Sequence, residues 1–177
     1  MSKIKSFITI TLILSFTIFT IHLSASENKN SHFVDDDITG IINCYLEIKD
    51  ALVADDTDLA SINGKELNTN LKTVYFEFND LEKQKIWDNN HLFLLRYSEQ
   101  IAHSSDLDIQ RVALRGLTLT MVEMLYLTGS NDISLYLQHC SMALNNGAEW
   151  LSVSDNIANP YFGSSMVTCG EILERVK

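Results

Sequence analysis

The sequence predicts a mostly α-helical protein: an antiparallel four-helix bundle with a C-terminal irregular or short-β segment folded across it. Four segments between Ile38 and Leu127 carry apolar residues at helical spacing and are joined by short polar links, which is typical of an antiparallel bundle. After Gly129 the helical period is lost, and the tail is rich in Asn, Gly and Ser and contains Pro160, the only proline.

The first helix is predicted to begin at Ile38, because apolar residues recur from there to Val53 at intervals of three and four. We expect it to end at Asp55–Asp56, where Thr57 or Asp58 would cap the second helix through a side-chain oxygen. A calcium loop is the alternative interpretation of this acidic run. It is disfavoured because the required glycine and the bidentate glutamate are both missing.

The second helix is predicted to run loosely from Leu59 to Phe78. Gly64 lies inside it and predicts a weak or kinked early part. The segment Val74–Phe78 is dense enough in β-branched and aromatic residues to be a strand, but the surrounding periodicity favours a helix.

The third and fourth helices are predicted over Glu82–Ser104 and Leu107–Leu127, with Asp106 as the cap between them and Gly129 as the stop. The side chains that we expect to be buried on the third helix are Ile86, Trp87, Leu92, Leu94, Leu95 and Ile101. Those expected on the fourth helix are Ile109, Val112, Ala113, Leu117, Met121 and Met124.

The tail is predicted to contain a short strand and then to return across the bundle. The residues that alternate as in a strand are Ile133, Leu135 and Leu137. Beyond them, Asn159-Pro160 is a turn signal, and Trp150, Tyr161 and Phe162 supply apolar packing that could close a loop.

Residues 1–26 have the layout of a secretory signal peptide. Lys3 and Lys5 precede an apolar stretch, Phe7–Ile21, and the small residues Ser24–Ser26 follow it. An uncleaved membrane anchor is the alternative, because the stretch approaches the ~20 apolar residues that a membrane span requires. We expect cleavage, and therefore a periplasmic protein without a membrane span.

Cleavage near Glu27 would leave a polar, mobile leader over residues 27–37 and a single domain over residues 38–177. The formal charge of −10 would become −12, because the removed segment carries Lys3 and Lys5 and no acid. A protein this acidic repels phosphate backbones, so no nucleic-acid partner is expected.

Three cysteines in an exported protein raise the question of disulfides, which persist in oxidising compartments. An odd number leaves at least one thiol unpaired within a monomer. Cys44 falls on the first amphipathic helix, and we expect it to be a free, buried thiol. Cys140 and Cys169 are then the pair to be explained.

Two short pairs of soft ligands flank the aromatic tail, Cys140-x-Met142 and Met166-x-x-Cys169. Thiolate and thioether sulfur select Cu(I). The alternative is a Cys140–Cys169 disulfide worth ~3–4 kcal/mol, with both methionines as core filler. A third interpretation is two unrelated thiols, and all three stay open. His139 precedes Cys140 on a predicted strand and would point to the opposite face, so it is not expected to share an ion with Cys140.

The sequence lacks the motifs of common catalytic sites. It contains no Cys-x-x-Cys-His, Gly-x-Ser-x-Gly or His-Glu-x-x-His motif and no phosphate-binding loop. Glu99 and His103 are one helical turn apart, but a carboxylate-bridged diiron bundle needs two Glu-x-x-His motifs. We therefore expect a protein that is not an enzyme.

Three tail segments and one helix segment resemble the domain of unknown function 3347 family. The tail segments are His-Cys-Ser-Met-Ala, Ala-Glu-Trp-Leu-Ser and Ile-Ala-Asn-Pro-Tyr-Phe-Gly-Ser-Ser-Met-Val-Thr-Cys-Gly-Glu. In that family they typically read Cys-Pro-Met-Ala, Trp-Leu-Ser and Asn-Pro-Tyr-Phe-Gly-x-x-Met-x-x-Cys-Gly. The helix segment is Tyr45–Asp56, and the resemblance spans about Ile38–Glu171.

The resemblance implies an exported helical domain that also occurs attached to heavy-metal efflux adaptors and beside copper-handling modules. It implies Cu(I) as the metal and places the family's Cys, Met, Met and Cys on Cys140, Met142, Met166 and Cys169. Ser141 stands where the family usually has Pro, which removes rigidity between two sulfurs but no ligand.

The hypothesis from the sequence is a periplasmic copper-binding accessory protein that buffers Cu(I) or hands it to an efflux system. Its partners would be a heavy-metal efflux adaptor or a copper chaperone. The alternative hypothesis is a protein-interaction module stapled by a Cys140–Cys169 disulfide, with no metal role.

Overall fold

Four helices pack against one another, and a small antiparallel sheet follows them, as the sequence predicts. The computed structural model describes residues 30–128 and 133–176; the predicted signal peptide and the predicted stop at Gly129 lie outside them. Residues 34–177 form one compact unit. The helices are α1 (Asn30–Val53), α2 (Thr57–Thr73), α3 (Leu81–Ala102) and α4 (Leu107–Thr128).

Helix α1 begins at Asn30, within the segment predicted as a leader, and ends as predicted before two aspartates. Asp55 has a φ of 58°, which turns the chain out of the helix. Asp56, rather than Thr57 or Asp58, is the cap of α2, since its side chain accepts a hydrogen bond from the backbone N–H of Leu59 at 2.9 Å. The prediction was one residue late.

Helix α2 ends at Thr73, so the predicted helix to Phe78 is wrong. Residues 74–78 are extended and form neither helix nor strand. Phe76 is buried and meets the ring of Trp87 edge-on, with centroids 4.5 Å apart, whereas Tyr75 is exposed. The dense apolar run therefore packs as a linker whose alternate residues contact α3.

Gly64 lies in an unbroken α2, contrary to the predicted weakness, and it marks the closest approach of α2 and α3. A Cβ added at Gly64 would lie 2.9 Å from the backbone nitrogen of Ala102. Ser61 also donates to the carbonyl of Ala102, at 2.5 Å. The missing side chain therefore lets two backbones touch.

The predicted burial on α3 is correct for Trp87, Leu94 and Ile101 and wrong for Ile86 and Leu92, which are exposed. Polar groups hold part of the inner face instead. A prominent example is His91, which stacks on Trp87 and bonds through Nε2 to the carbonyl of Leu71 at 2.7 Å. Because half-buried His91 bonds a backbone carbonyl of α2, and Asn90 and Ser98 are buried on the same helix, apolar periodicity alone misplaces the inner face.

The same error occurs at the start of α4, where Ile109 and Val112 are exposed and Gln110 and Arg111 are buried. The amide of Gln110 donates to three carbonyls at the junction of the helices, those of Thr57, Ile101 and Ser104. Further along α4 the prediction is correct. The buried residues there that were predicted are Ala113, Leu117, Met121 and Met124.

Three strands form the C-terminal sheet in the order β2-β1-β3, with both pairs antiparallel. They are β1 (Leu135–Cys140), β2 (Ala148–Ser152) and β3 (Glu171–Val176). The register between β1 and β3 shifts beside Leu137 and Gln138, so that Leu173 has no counterpart on β1. Among the helices of the described ranges, none has the length and apolar character needed to cross a bilayer.

Strands β1 and β2 are largely covered on both faces, so β1 is more buried than strict alternation predicts, whereas β3 is exposed at every residue before Val176. Cys140 pairs with Ala148 and Gln138 with Trp150, so these four side chains share one face. The returning tail covers that face, because the amide of Gln138 donates to the carbonyls of Ser154 and Asn156.

Candidate functional site

The fold brings the thiols of Cys140 and Cys169 together. Cys140 is buried and Cys169 is half-buried. His139 pairs with Glu171, and a Cβ at Gly170 would lie 2.9 Å from the His139 carbonyl oxygen, so the chain at Cys169 passes beside the end of β1. The neighbouring Cys140 side chain, then burial, then the charge of a Cys140 thiolate raise the pKa of Cys169 above its ordinary value. The pair that the sequence left unexplained is therefore a contact between a strand end and a returning loop.

Cys140 is positioned by strand parity and by the turn that follows it. It is the last residue of β1 and points to the face that the tail covers. The turn continues through a 3₁₀ segment, Ala143–Asn145, in which Leu144 and Asn145 have φ of 50° and 67°. A left-handed leucine is sterically costly, and the turn is held by a hydrogen bond from the Gly147 N–H to the Ala143 carbonyl at 2.9 Å.

Cys169 is positioned by Asn159, whose side chain is fully buried. The Asn159 amide donates to the carbonyl of Cys169 at 2.7 Å, and its backbone N–H donates to the carbonyl of Val167 at 2.8 Å. Its side-chain oxygen accepts from the backbone N–H of Tyr161 at 2.8 Å. The predicted turn at Asn159-Pro160 is thus present, and one asparagine ties both ends of the loop together.

The loop passes directly over the sheet next to Cys169. Gly170 has a φ of 152°, and a Cβ there would lie 2.7 Å from Cη2 of Trp150 and 2.9 Å from the carbonyl oxygen of His139. Trp150 is fully buried and meets the ring of Tyr161 edge-on at 6.1 Å. The expected closure of the tail by aromatic packing is therefore present. Only glycine fits at position 170, where the chain crosses Trp150.

The two methionines lie at the surface. Met142 is 58% exposed and Met166 is 39% exposed. The prediction of the disulfide alternative that they fill the core is therefore wrong. Met166 is in the same turn as Cys169, since the backbone N–H of Cys169 donates to the Met166 carbonyl at 3.1 Å.

Across residues 30–128 and 133–176, no group of three or more His, Cys, Asp or Glu side chains lies close enough to hold a metal ion. His139 is half-buried and, by strand parity, on the face opposite Cys140; its Nδ1 is 4.0 Å from Glu171 Oε1. A metal at this place would therefore depend on two thiolates, with thioethers as the remaining donors. Two thiolates suit Cu(I), which favours soft sulfur donors.

A buried ion pair, which the sequence reading missed, fixes the loop to the helices. Arg111 on α4 donates through Nη2 to Asp55 at 2.6 Å and through Nε to the carbonyl of Pro160 at 2.8 Å. Ser164 donates to the other oxygen of Asp55 from its backbone N–H at 3.1 Å and from its hydroxyl at 2.6 Å. No signal in the sequence indicated this ion pair, because Arg111 falls outside the apolar stripe predicted for the fourth helix.

These contacts lower the pKa of Asp55 below its ordinary value. The hydrogen bonds from the Ser164 hydroxyl and N–H are the largest cause, and the Arg111 guanidinium adds to them against the opposing effect of burial. The carboxylate form of Asp55 is therefore the form that the folded loop favours.

Buried hydroxyls join the helices to the sheet. The Tyr45 phenol bonds to the Thr118 hydroxyl at 2.7 Å and accepts the backbone N–H of Leu151 at 3.0 Å. Burial raises the pKa of Tyr45 to about 12. Burial likewise raises the pKa of Tyr161 well above its ordinary value; its hydroxyl donates to the carbonyl of Glu149 at 2.6 Å.

Cys44 is a free, buried thiol on α1, as predicted. The amide of Asn70 donates to its sulfur at 3.4 Å. Burial, together with the negative charges of Glu66 and Glu47, raises the pKa of Cys44 to about 11. It lies within the helical bundle and is a structural residue rather than part of the tail site.

No curated protein and no solved structure matches this chain at a significant level. One family model does match, over residues 41–132, and its description is a protein of unknown function, DUF3347. The match covers half of the chain, from within α1 to the end of the bundle, and stops before β1. The chain therefore belongs to the DUF3347 family, as the resemblance in the sequence predicted.

Proposed function

We propose that this protein is a periplasmic copper-binding accessory protein that holds one Cu(I) between the thiolates of Cys140 and Cys169 and passes it to an efflux system. The observation that supports the proposal is that the fold brings the two cysteines together from separate segments: β1, which ends at Cys140, pairs with β3, which begins two residues after Cys169. Its role is binding rather than catalysis.

The chemistry of the proposed site is a proton-for-metal exchange. Both sulfurs must lose their protons to bind the ion, so uptake releases protons and strengthens as the pH rises. Because the end of β1 and the segment that carries Cys169 already lie side by side, little rearrangement is needed to bring both sulfurs to one ion. The thioethers of Met142 and Met166 would complete a weaker and more labile shell.

Transfer to a partner is supported by the exposure of the two methionines and by the half-buried Cys169. A soft ligand of a partner can approach from this side. The proposed partners are a heavy-metal efflux adaptor or a copper chaperone. The formal charge, −10 for the full chain and −12 after the expected loss of Lys3 and Lys5, would favour a partner whose docking surface is positive.

Native mass spectrometry of the reduced mature protein, offered Cu(I) anaerobically against a competing chelator, tests the proposal. One retained copper is expected in the wild type and in Cys44→Ser, which controls for thiol number, and none in Cys140→Ser/Cys169→Ser. Met142→Leu should weaken retention less than the loss of a thiol. Equal retention by the double serine variant and the wild type would refute the site.

A second candidate function is a disulfide-stapled interaction module, and the burial of Cys140 specifically favours it. A staple between these segments would contribute ~3–4 kcal/mol. In that case reduction would lower the melting temperature, and copper would leave the oxidised protein unchanged. A mass loss of two protons on exposure to air, together with no copper retention, would favour this candidate.

A further inference from the structure

The segment 159–165, which we call the tail loop, is held against the helical bundle by an ion pair between Asp55 and Arg111. Asp55, at the end of α1, holds Ser164, and Arg111 on α4 holds the carbonyl of Pro160 while it bonds to Asp55. Arg111 is 8% exposed, so its charge is largely removed from water and depends on Asp55.

The fit between this ion pair and the tail loop is tight. Gly163 has a φ of 51°, and a Cβ there would overlap Oδ1 of Asp55 and lie 2.7 Å from Nη2 of Arg111. The loop backbone therefore rests directly on both charged groups, and its position is set by them.

A short covalent and hydrogen-bonded path leads from the ion pair to Cys169. Pro160, which Arg111 holds, follows Asn159, and the Asn159 amide holds the carbonyl of Cys169 at 2.7 Å. The backbone N–H of Gly163 donates to the Asn159 carbonyl at 3.0 Å, which stiffens the link between the two ends. A displacement of the tail loop is thus transmitted to Cys169, whereas Cys140 stays on its strand.

We infer that Asp55 and Arg111 form a latch that sets how closely the Cys169 thiol approaches Cys140. They are positioning residues: neither contacts a sulfur, and both act through the tail loop. The inference deepens the proposed copper site and rests on it for the copper measurement, but the distance between the thiols can be measured without any metal.

The metal-free measurement is the equilibrium with glutathione. Glutathione disulfide accepts two electrons from the Cys140 and Cys169 thiols; one sulfur–sulfur bond forms in the protein, one breaks in the oxidant, and two glutathione thiols take up the two protons. The equilibrium constant reports the effective concentration of one thiol at the other, which falls when the tail loop is released.

The key variant is Asp55→Asn, because asparagine tolerates the left-handed φ of 58° at this position while the charge that faces Arg111 is lost. Arg111→Gln removes the charge that faces Asp55, and Ser164→Ala removes the hydroxyl that bonds to Asp55. Asp58→Asn is the matched control, since Asp58 is an exposed aspartate in the first turn of α2. All variants carry Cys44→Ser so that only one thiol pair can react.

We expect Asp55→Asn and Arg111→Gln to lower the glutathione equilibrium constant by about tenfold, which is ~30 mV for a two-electron couple. Ser164→Ala should lower it by less, and Asp58→Asn should leave it within twofold of the parent. Far-ultraviolet circular dichroism identifies any variant that does not fold. If Arg111→Gln is unfolded, the milder Asp55→Asn and Ser164→Ala variants decide the question.

A merely structural role for Asp55 would lower the melting temperature and leave the equilibrium constant equal to that of Asp58→Asn, and that result would overturn the inference. Failure of the copper proposal can be distinguished from failure of the latch. If the parent retains no Cu(I) while Asp55→Asn still shifts the glutathione equilibrium, the latch stands and the copper proposal is rejected.

Discussion

Replacement of Tyr45 by Phe tests how the helices are joined to the sheet. The phenol oxygen is the acceptor for the backbone N–H of Leu151, and both groups are buried. Phe fills the same space, so the lost free energy is that of a buried donor without a partner, about 1–3 kcal/mol. We expect the free energy of unfolding at pH 7 to fall by about 2 kcal/mol.

The difference between Tyr45→Phe and the wild type should shrink in alkali. The pKa of Tyr45 is raised from 10.0 in the unfolded chain to about 12 in the folded protein. Between these values the unfolded phenol loses its proton while the folded one keeps it, so stability that is present below pH 10 is lost as the pH rises towards 12. By pH 11 the wild type should have lost about 1.4 kcal/mol that the variant does not lose.

Urea unfolding followed by the fluorescence of Trp87 and Trp150 at several values between pH 7 and 11 gives both quantities. The matched control is Tyr75→Phe, because Tyr75 is 68% exposed. The control should change the free energy of unfolding by less than about 0.5 kcal/mol. The reasoning is refuted if Tyr45→Phe behaves like the control at pH 7, or if its deficit stays constant from pH 9 to 11.

Three further predictions concern single residues. The pKa of Cys44 is about 11, against 9.0 for a free thiol. Cys44 should therefore react with iodoacetamide at least about a hundredfold more slowly in the folded protein than in urea. Mass spectrometry of the labelled peptide measures the two rates, and equal rates would contradict the prediction. Gly163→Ala should lower the free energy of unfolding by at least ~1 kcal/mol, because alanine is strained at the left-handed φ of this position. Urea denaturation measures the change. Gly40→Ala is the control, since Gly40 lies at an open position of a helix. The pKa of Asp55 is lowered in the folded protein, so the stabilisation by its carboxylate is present above the ordinary value of 3.8 and is lost as the pH falls through the folded value. The wild-type melting temperature should therefore drop more steeply below pH 4 than that of Asp55→Asn. Parallel melting curves for the two proteins would contradict this prediction.

The helices could be predicted because their evidence is local. The spacing of apolar residues and the predicted cap at Asp106 lie within one or two turns of the ends that they define, whereas the cap of α2 was placed one residue too late. The strand β1 was predicted for the same reason, since alternation is visible within six residues. The buried Cys44 followed from its helical phase alone.

What could not be predicted depends on partners far away in the sequence. The inner face at the start of α4 carries Gln110 and Arg111 because their partners lie at the end of α1, at the start of α2 and in the tail loop. Apolar periodicity treats polar residues as exposed, so it predicted that Ile109 and Val112 are buried instead of Gln110 and Arg111. The contact of the two thiols was expected only if the tail closed, and the ion pair that holds the tail loop gave no readable pattern.

The unequal burial of the two thiols gives them different roles towards any external sulfur reagent. Cys140 is 2% exposed, while Cys169 lies on the accessible side of the pair. A small disulfide that enters from solvent should therefore react at Cys169 first and form a mixed disulfide there. Cys140 is then the resolving thiol: it attacks the Cys169 sulfur from beneath and expels the reagent. The same order would make Cys169 the point of exchange with a partner and Cys140 the anchor that stays behind.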